Sequence, residues 1–314
     1  MVDSTVDERY LDTQNGRRIL RTRLLFTDGK GSFQETAWEK PEITADEIEV
    51  RSVMTGVCRS DIDMMNGLFG PLPINMHGHE GLGQVTAVGA DVNDVNVGDY
   101  VATRGEPAYA DYYNVRDKEF VVVPSAEPKY ILEPVACGIN VVTQNRTALF
   151  ERDGGRLAII GSGFLAQIAY QTLTIQGFDY EIDVIGNHNQ SVWPNLKQEL
   201  SGQYDVIIDL SSRTDYLDGS HIANNAVIIM ATEKHIDQNI GPLLWKAVTI
   251  SFPSPRTPNF YQAMLSARDW IEAGLLTVDN FWTQAYNRTT DWQKAFEDGV
   301  NRPNGYSRGY IKWD

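Results

Sequence analysis

One of the two cysteines in the sequence, Cys58, is followed further along the chain by an adjacent histidine and glutamate, His79 and Glu80. A thiolate, an imidazole and a carboxylate form a mixed set of ligands that suits a catalytic zinc ion. Cys58 or His79 on its own is more often a core side chain than a metal ligand. They lie in two glycine-rich segments, GVCRSD and GHEGLGQVTAVG, and the combination predicts a metal site.

A second group with a spacing that suits chemistry is the run RLAIIGSGFLAQIAYQ, in which Gly161 and Gly163 follow an apolar stretch and precede a helical one. The third small residue of the dinucleotide fingerprint is Ala166, which allows close packing of helix against strand. The glycines let the backbone approach a pyrophosphate, and the helix that begins at Phe164 and Leu165 stabilises its charge. The run predicts a dinucleotide-binding turn.

The next strand decides between the two nicotinamide cofactors, because NAD enzymes usually end it with an acid that binds the adenosine ribose. Here the run YEIDVIGNH ends in Gly186, Asn187 and His188, and the acid is absent. Glycine leaves room for a 2′-phosphate, to which the other two residues donate hydrogen bonds, so NADP is favoured over NAD. The alternative is Asp183 as the ribose partner, if the register of the strand differs.

The elements that must position these residues change in kind near residue 135. Before it, segments such as EIEVRSVMTGV alternate apolar and polar residues as half-buried strands do. After it, helical segments alternate with apolar runs, YDVIIDLS, NAVIIMAT and AVTISF, which predicts a doubly wound parallel sheet. We therefore predict an α/β chain with a β-rich catalytic domain, residues 1–134 with 285–314, and a cofactor domain, residues 135–284.

The composition excludes several classes of partner. Hydrophobic residues make up 42% of the chain and charged residues 22%, as in ordinary globular proteins. The net charge of −15 disfavours nucleic acids and anionic membranes, because both are negatively charged. No apolar run is long enough to span a membrane, and the polar start MVDSTVDERY shows no signal peptide. Since two cysteines make no disulfide framework, we expect a cytoplasmic protein.

The segments GVCRSD and GHEGLGQVTAVG resemble the zinc signature of the medium-chain dehydrogenase/reductase superfamily, and the chain is similar to that family from about Arg21 onward. The resemblance implies a GroES-like catalytic domain and a Rossmann cofactor domain. It also implies zinc-dependent hydride transfer between a nicotinamide cofactor and a secondary alcohol, polyol or sugar, or the matching carbonyl. A homodimer or homotetramer is a further expectation from the family.

The resemblance also places a zinc ligand at the start of the helix that contains ILEPVACG. The Glu-Pro dipeptide looks like that of the sorbitol- and glucose-dehydrogenase-like branch, so Glu133 is the candidate, with Cys137 as a rival one turn later. In that branch Glu80 is either a direct ligand or a close neighbour of the metal. The lobe that holds a structural zinc in many members has no counterpart in ATRGEPAYADYYNVRD, which contains no cysteine, so this compact member is expected to bind one zinc ion.

Four further residues receive roles from the same resemblance. Ser60 matches the hydroxyl of the family's proton relay, and Asp63 stands where some alcohol dehydrogenases place a relay histidine. Arg59 and Arg308 match arginines that contact the cofactor phosphates. Two alternatives stay open: a zinc-free quinone or enone reductase, and a catalytically idle cofactor-binding protein.

Overall fold

The structure is a computed structural model that describes residues 10–12, 18–151, 155–188, 191–193 and 195–313 of the 314-residue chain. The chain divides into two compact units. The first contains the residues up to Glu133 and those from Val278 onward, and the second is Pro134–Thr277. The first crossing lies beside the predicted boundary at 134, and the return to the first unit precedes the one predicted at 285.

The strands in the described residues are, in chain order, β1 (Tyr10–Asp12), β2 (Arg18–Thr27), β3 (Phe33–Pro41), β4 (Glu47–Gly56), β5 (Gly81–Val88), β6 (Tyr100–Thr103), β7 (Tyr112–Arg116), β8 (Phe120–Val123), β9 (Arg156–Ile160), β10 (Glu181–Ile185), β11 (Tyr204–Asp209), β12 (Ile222–Met230), β13 (Thr249–Ser251), β14 (Trp282–Asn287) and β15 (Arg308–Lys312). The helices are α1 (Arg59–Met65), α2 (Glu133–Thr143), α3 (Arg146–Phe150), α4 (Phe164–Ile175), α5 (Gly241–Trp245), α6 (Phe260–Glu272) and α7 (Trp292–Asn301). Short 3₁₀ helices lie at Pro128–Tyr130, Asp215–Asp218 and Asp279–Phe281.

The first unit is built from two sheets. β1, β2 and β3 form an antiparallel sheet, and a seven-stranded sheet has the order β14-β15-β4-β5-β6-β8, with β7 also paired to β4. β14 and β15 are parallel to each other, and β15 then pairs with β4 in antiparallel fashion. The last strand of the chain therefore lies beside the end of β4, where Cys58 follows.

Aromatic packing fixes α7 and the loop before β7 in the core of the first unit. Phe33 of β3 stacks on Phe296 of α7 with ring centroids 3.8 Å apart. Tyr109 meets both rings edge-on, at 5.7 Å and 5.5 Å, and its side chain is fully buried. Edge-on contacts of this kind stabilise aromatic pairs beyond the area that they bury.

The second unit has a five-stranded parallel sheet of order β10-β9-β11-β12-β13. Along β9, Leu157 and Ile159 pack into one apolar cluster and Ala158 and Ile160 into another, so both faces of the sheet are covered. Strands buried on both faces read as continuous apolar runs, and this pattern made the sheet predictable from YDVIIDLS and NAVIIMAT. The parallel doubly wound architecture is confirmed.

The connection between β10 and β11 in the second unit is short. In the common doubly wound fold, each half of the sheet has three strands, and one more strand would lie beyond β10. Between β10 and β11 the described residues contain no helix and only a single parallel bridge, from Ile185 to Lys197. The connection therefore runs along the outer edge of β10 and returns without adding a full strand.

None of the helices in the described ranges is long and apolar enough to cross a membrane.

Candidate functional site

Strand pairing brings the three predicted metal ligands together. Cys58 lies just after β4 and directly before α1, while His79 and Glu80 lie directly before β5. β4 and β5 are antiparallel neighbours with Thr55 opposite Gly81, and this register places the end of one beside the start of the other. The two glycine-rich segments of the sequence thus meet at one end of the seven-stranded sheet.

The side chains of Cys58, His79 and Glu80 converge. One ligand atom from each, a sulfur, a ring nitrogen and a carboxylate oxygen, lies within 4.8 Å of the other two. The cysteine and the histidine are half-buried, and the glutamate is fully buried. Their donor chemistry fits zinc, which takes thiolate, imidazole and carboxylate ligands in closely spaced sets of this kind.

The imidazole of His79 is oriented from both sides. Its Nε2 lies 3.4 Å from Ser60 Oγ, and its Nδ1 lies 3.9 Å from Asp61 Oδ1. Burial opposes a charge on the ring, but the hydrogen bond to Cys58 and the charges of Cys58, Asp61 and Glu133 outweigh it, so the pKa of His79 lies well above its usual value. Burial, followed by the charge of Glu80, raises the pKa of the Cys58 thiol. The acidic groups around the half-buried imidazole therefore favour a positive charge at this position.

Sequence reasoning missed Asp61, which supports this arrangement. Its buried carboxylate accepts hydrogen bonds from the backbone N–H of Cys58 at 2.8 Å and from the hydroxyl of Tyr109 at 2.7 Å. Oδ1, the oxygen that faces His79, has no hydrogen-bond partner among the described residues. Burial raises the pKa of Asp61. The available signal was a carboxylate three residues after the cysteine in GVCRSD, since a metal-ligating histidine commonly donates its second nitrogen to such a group.

Arg308, predicted to contact cofactor phosphates, binds Glu80 in the structure. One terminal nitrogen of its guanidinium lies 2.5 Å from each carboxylate oxygen. The guanidinium also stacks over the ring of Trp282, 5.1 Å from its centroid. Gly56 makes room for this pair, because a Cβ there would lie 2.1 Å from Glu80 Oε2. Burial opposes the positive charge, but Glu80 raises the pKa of Arg308 above its usual value.

Glu133 and Cys137 lie outside this three-residue group. Glu133 is the first residue of α2, is buried, and acts on His79 through its charge. Cys137 is a half-buried cysteine on the same helix. Neither residue belongs to the group formed by Cys58, His79 and Glu80 in the part of the chain that the structure describes.

Arg59 and Asp63 form an ion pair on α1. Arg59 Nε donates to Asp63 Oδ1 at 2.9 Å, and the two residues are one helical turn apart. Within the described ranges no hydrogen bond joins Asp63 to Ser60, which instead lies beside His79. The predicted outer member of the proton relay is thus engaged by the arginine predicted for the cofactor.

The predicted dinucleotide turn has the expected strand–turn–helix context. β9 ends at Ile160, Gly163 caps α4, and Phe164 and Leu165 are the first two helical residues. The N–H of Gly161 donates to the carbonyl of Ile185 at 2.8 Å, which ties the turn to the end of β10. The turn therefore lies at the carboxyl edge of the parallel sheet, where such folds bind their ligands.

The residues predicted to select the cofactor pack against this turn. A Cβ at position 186 would lie 2.5 Å from Ser162 Oγ, so Gly186 is required by the side chain of the turn itself. After Asn187, the N–H of His188 donates to Ser162 Oγ at 3.3 Å. The indole of the buried Trp193 donates to the Ser162 carbonyl at 3.0 Å. Ser162 and Trp193 had no signal in the sequence, because their contacts depend on the shortened connection after β10.

Asp183, the alternative ribose partner, already has three donors. Its carboxylate accepts from Arg156 at 2.7 Å, Lys197 at 2.5 Å and Tyr204 at 2.8 Å. It lies in the middle of β10, opposite Ala158, and its side chain is buried. The role of Asp183 is therefore to join β9, β10 and β11, and the register that would make it the ribose ligand is not adopted.

Comparisons with known proteins agree with this architecture. Residues 44–125 match the model of the alcohol dehydrogenase GroES-like domain. D-arabitol-phosphate dehydrogenase of Enterococcus avium is 30% identical, over 82% of this chain and 88% of that protein. Aldehyde reductase AdhA of Synechocystis is 25% identical, over 76% of this chain and 85% of that protein.

Among solved structures, a short-chain alcohol dehydrogenase from E. coli CFT073 in complex with NADH superimposes with a TM-score of 0.75 at 15% sequence identity. The superposition covers 93% of this chain and 99% of that one. It supports the fold, and the relatives above support an oxidoreductase that uses a nicotinamide cofactor. The chain belongs to the zinc-type alcohol dehydrogenase branch of the medium-chain dehydrogenase/reductase superfamily.

Proposed function

We propose that this enzyme is a zinc-dependent dehydrogenase that transfers hydride between NADP and a secondary alcohol, polyol or sugar, or reduces the matching carbonyl. The observation that carries the proposal is the convergence of Cys58, His79 and Glu80 within 4.8 Å. The substrate class takes support from the relative named for a polyol phosphate, D-arabitol-phosphate dehydrogenase.

Cys58 and His79 would hold the metal, with Glu80 as the third ligand and Glu133 as the candidate for the fourth position. The Arg308 contact is compatible with ligation by Glu80, because each carboxylate oxygen has two lone-pair sites and the arginine uses one on each. When bound, zinc supplies a Lewis acid that lowers the pKa of a substrate hydroxyl.

The surrounding side chains orient the ligands and carry the proton. Asp61, facing Nδ1 of His79, helps to keep Nε2 directed towards Ser60. Ser60 would accept the substrate proton at its hydroxyl oxygen while donating its own proton to solvent water, a role that its position 3.4 Å from His79 Nε2 supports. Tyr109 donates to Asp61 from the core, so the carboxylate that orients the histidine is itself fixed.

In the second unit, the turn at Gly161 and Gly163 and the N–H groups of Phe164 and Leu165 would bind the cofactor pyrophosphate. The preference for NADP takes support from the end of β10, where Gly186, Asn187 and His188 stand in place of an acid. Of the two arginines predicted for the phosphates, Arg59 is the stronger candidate, because Arg308 is bound to Glu80.

A homodimer is part of the proposal. β13 is the last strand of its sheet, and none of the described strands pairs with its outer edge. β13 itself carries no charged residue. Phe252, which directly follows it, is 66% exposed, and Trp245, at the end of α5 shortly before it in the sequence, is 87% exposed. Unprotected edges and exposed apolar patches of this kind mark interaction sites.

Metal analysis and turnover test the proposed function together. We expect purified enzyme to contain zinc and to oxidise members of a polyol and secondary-alcohol panel with NADP. Cys58→Ser should abolish turnover and zinc binding while NADPH affinity stays nearly unchanged. Cys137→Ser, which changes the other cysteine of the chain, should keep both metal and activity.

The outcomes separate the alternatives. Turnover of quinones or enones by metal-free protein would establish the zinc-free reductase instead. NADPH binding without turnover on any member of the panel would favour the non-catalytic alternative. Loss of zinc in Cys137→Ser, but not in Cys58→Ser, would overturn the assignment of the metal centre.

A further inference from the structure

We propose that Asp63 is a positioning residue. It holds the guanidinium of Arg59 so that the two terminal nitrogens of the arginine can bind two oxygens of a cofactor phosphate. The proposal rests on the proposed function, since it takes a nicotinamide dinucleotide as the ligand. It replaces the proton-relay role that the sequence predicts for Asp63.

The geometry of the ion pair leaves the two terminal nitrogens of the Arg59 guanidinium available for a ligand. The carboxylate engages Nε alone, at 2.9 Å. Within the described residues the two terminal nitrogens of Arg59 make no hydrogen bond, and 66% of the side chain is exposed. Those nitrogens are the ones that bind phosphate oxygens in pairs, with a geometry that lysine does not offer.

The carboxylate is the fixed member of the pair. Only 17% of the Asp63 side chain is exposed, so its position is set by the packing around α1. An arginine side chain that is mobile in the free protein loses conformational entropy when it becomes ordered in a complex. Anchoring Nε before the cofactor arrives removes part of that cost.

The pair does little for the stability of α1. Arg59 is the first residue of this helix and Asp63 lies towards its other end, so both charges oppose the helix dipole. A basic residue four positions before an acidic one is also the weaker orientation of such pairs. Exposed ion pairs contribute little in any case. Helix stability therefore does not explain why these two residues are paired.

The relay role has less support from the contacts. A proton acceptor beyond Ser60 has to lie within hydrogen-bond reach of it, directly or through one water. The described contacts instead join Ser60 to His79 and Asp63 to Arg59. The carboxylate of Asp63 therefore faces Arg59 and not Ser60.

Binding of NADPH and of ADP-ribose, which has the pyrophosphate but no hydride to transfer, tests the proposal by fluorescence and calorimetry. Asp63→Asn should weaken both by about 3–10-fold, because asparagine keeps an acceptor for Arg59 Nε but loses the charge that holds the guanidinium in place. The kcat at saturating NADPH and its pH profile should change less than the Kd. Asp63→Glu, which keeps the charge, should recover most of the affinity.

A double-mutant cycle isolates the effect. In the Arg59→Ala background, Asp63→Asn should cause no further loss of affinity. Asp111→Asn is the matched control, because it breaks a similar exposed pair in the same unit, in which Arg23 Nε donates to Asp111 at 2.9 Å. This control should leave the Kd for both probes unchanged.

Each outcome decides between roles. An unchanged Kd in Asp63→Asn with a lower kcat and a displaced pH profile would establish the relay role and overturn the proposal. An unchanged Kd with an unchanged kcat would reduce the pair to a surface contact, also overturning it. If the wild-type enzyme binds neither NADPH nor NADH nor ADP-ribose, the proposed function itself fails.

Discussion

At the scale of single residues, Asp61 is a buried carboxylate that supports the proposed metal centre without belonging to its three-residue group. The carboxylate is buried, holds the N–H of Cys58, and faces His79 with an oxygen that has no other partner among the described residues. Carboxylates behind a ligating histidine fix the orientation of the ring and increase its basicity.

We expect Asp61→Asn to lower zinc affinity by about 10–100-fold, the usual effect of removing such a partner. The substitution keeps the shape of the side chain and removes its charge. Competition with a chromogenic chelator measures the affinity, and Asp91→Asn, an exposed aspartate of the same unit, is the control. Equal zinc affinities in wild type and Asp61→Asn would show that the Asp61 side chain serves only to accept the N–H of Cys58 at the start of α1.

Sequence reasoning could find the ligands at this scale and missed their partners. Cys58, His79 and Glu80 stand in segments with a recognisable composition, and the structure brings them together. The partners of these residues come from distant parts of the chain: Tyr109 reaches Asp61 through the aromatic core, and Arg308 reaches Glu80 from the last strand. No local spacing contains those contacts, because they depend on strand order.

At the scale of elements, Gly186 shows how one position can fit two explanations. The sequence explains it as room for a 2′-phosphate, and the structure explains it through Ser162, whose side chain occupies the place of a Cβ. The shortened connection between β10 and β11 was visible in the sequence only as a length. Its packing against the glycine turn, through Trp193, was not predictable.

The two explanations predict different effects of Gly186→Ala. If the contact with Ser162 is the reason for glycine at position 186, the new methyl group displaces the turn. NADPH and NADH should then both bind about 10-fold more weakly, a loss within the 1–3 kcal/mol typical of overpacking. Isothermal titration measures both Kd values. Adding Ser162→Gly should restore them, whereas a loss confined to NADPH would favour the 2′-phosphate explanation.

Asp183 makes the stability of the second sheet dependent on pH. Burial raises its pKa, but Lys197, Tyr204 and Arg156 outweigh burial and hold the pKa of Asp183 below its usual value. A carboxylate with a lowered pKa stabilises the fold above its pKa in the unfolded chain, and the contribution is lost as the pH falls through the folded-state pKa.

Asp183→Asn should therefore lower the free energy of unfolding at pH 7 by about 2 kcal/mol, typical of hydrogen bonds to a charged group. The difference from wild type should shrink as the pH falls below about 4, where the unfolded carboxylate becomes protonated. Urea titrations followed by circular dichroism at pH 7 and pH 3.5 measure both values. A difference that grows on acidification would contradict this account.

At the scale of the whole molecule, the net charge limits which surface could form the proposed homodimer. The net charge of −15 makes two copies repel each other over most approaches. β13 is an exception, since it is uncharged and the exposed residues Trp245 and Phe252 lie close to it in the sequence. Identical strands pair in antiparallel fashion about a two-fold axis, which gives a closed dimer.

Trp245→Glu should convert a dimer to monomers by placing two like charges at such an interface. Light scattering after size-exclusion chromatography, at micromolar concentrations and moderate salt, measures the mass. Val97→Glu is the control, because Val97 is also an exposed apolar residue, by 65%, and lies in the first unit. A dimer that persists in Trp245→Glu would place the interface elsewhere.

The pairing of Glu80 with Arg308 sets an order of events during synthesis. The two residues are 228 positions apart, and the whole second unit is translated between them. Until β15 emerges from the ribosome and docks on β4, the buried carboxylate lacks its cation and the sheet lacks a strand. We expect the nascent second unit to fold while the first is still incomplete, and the metal centre to be the last part of the enzyme to mature.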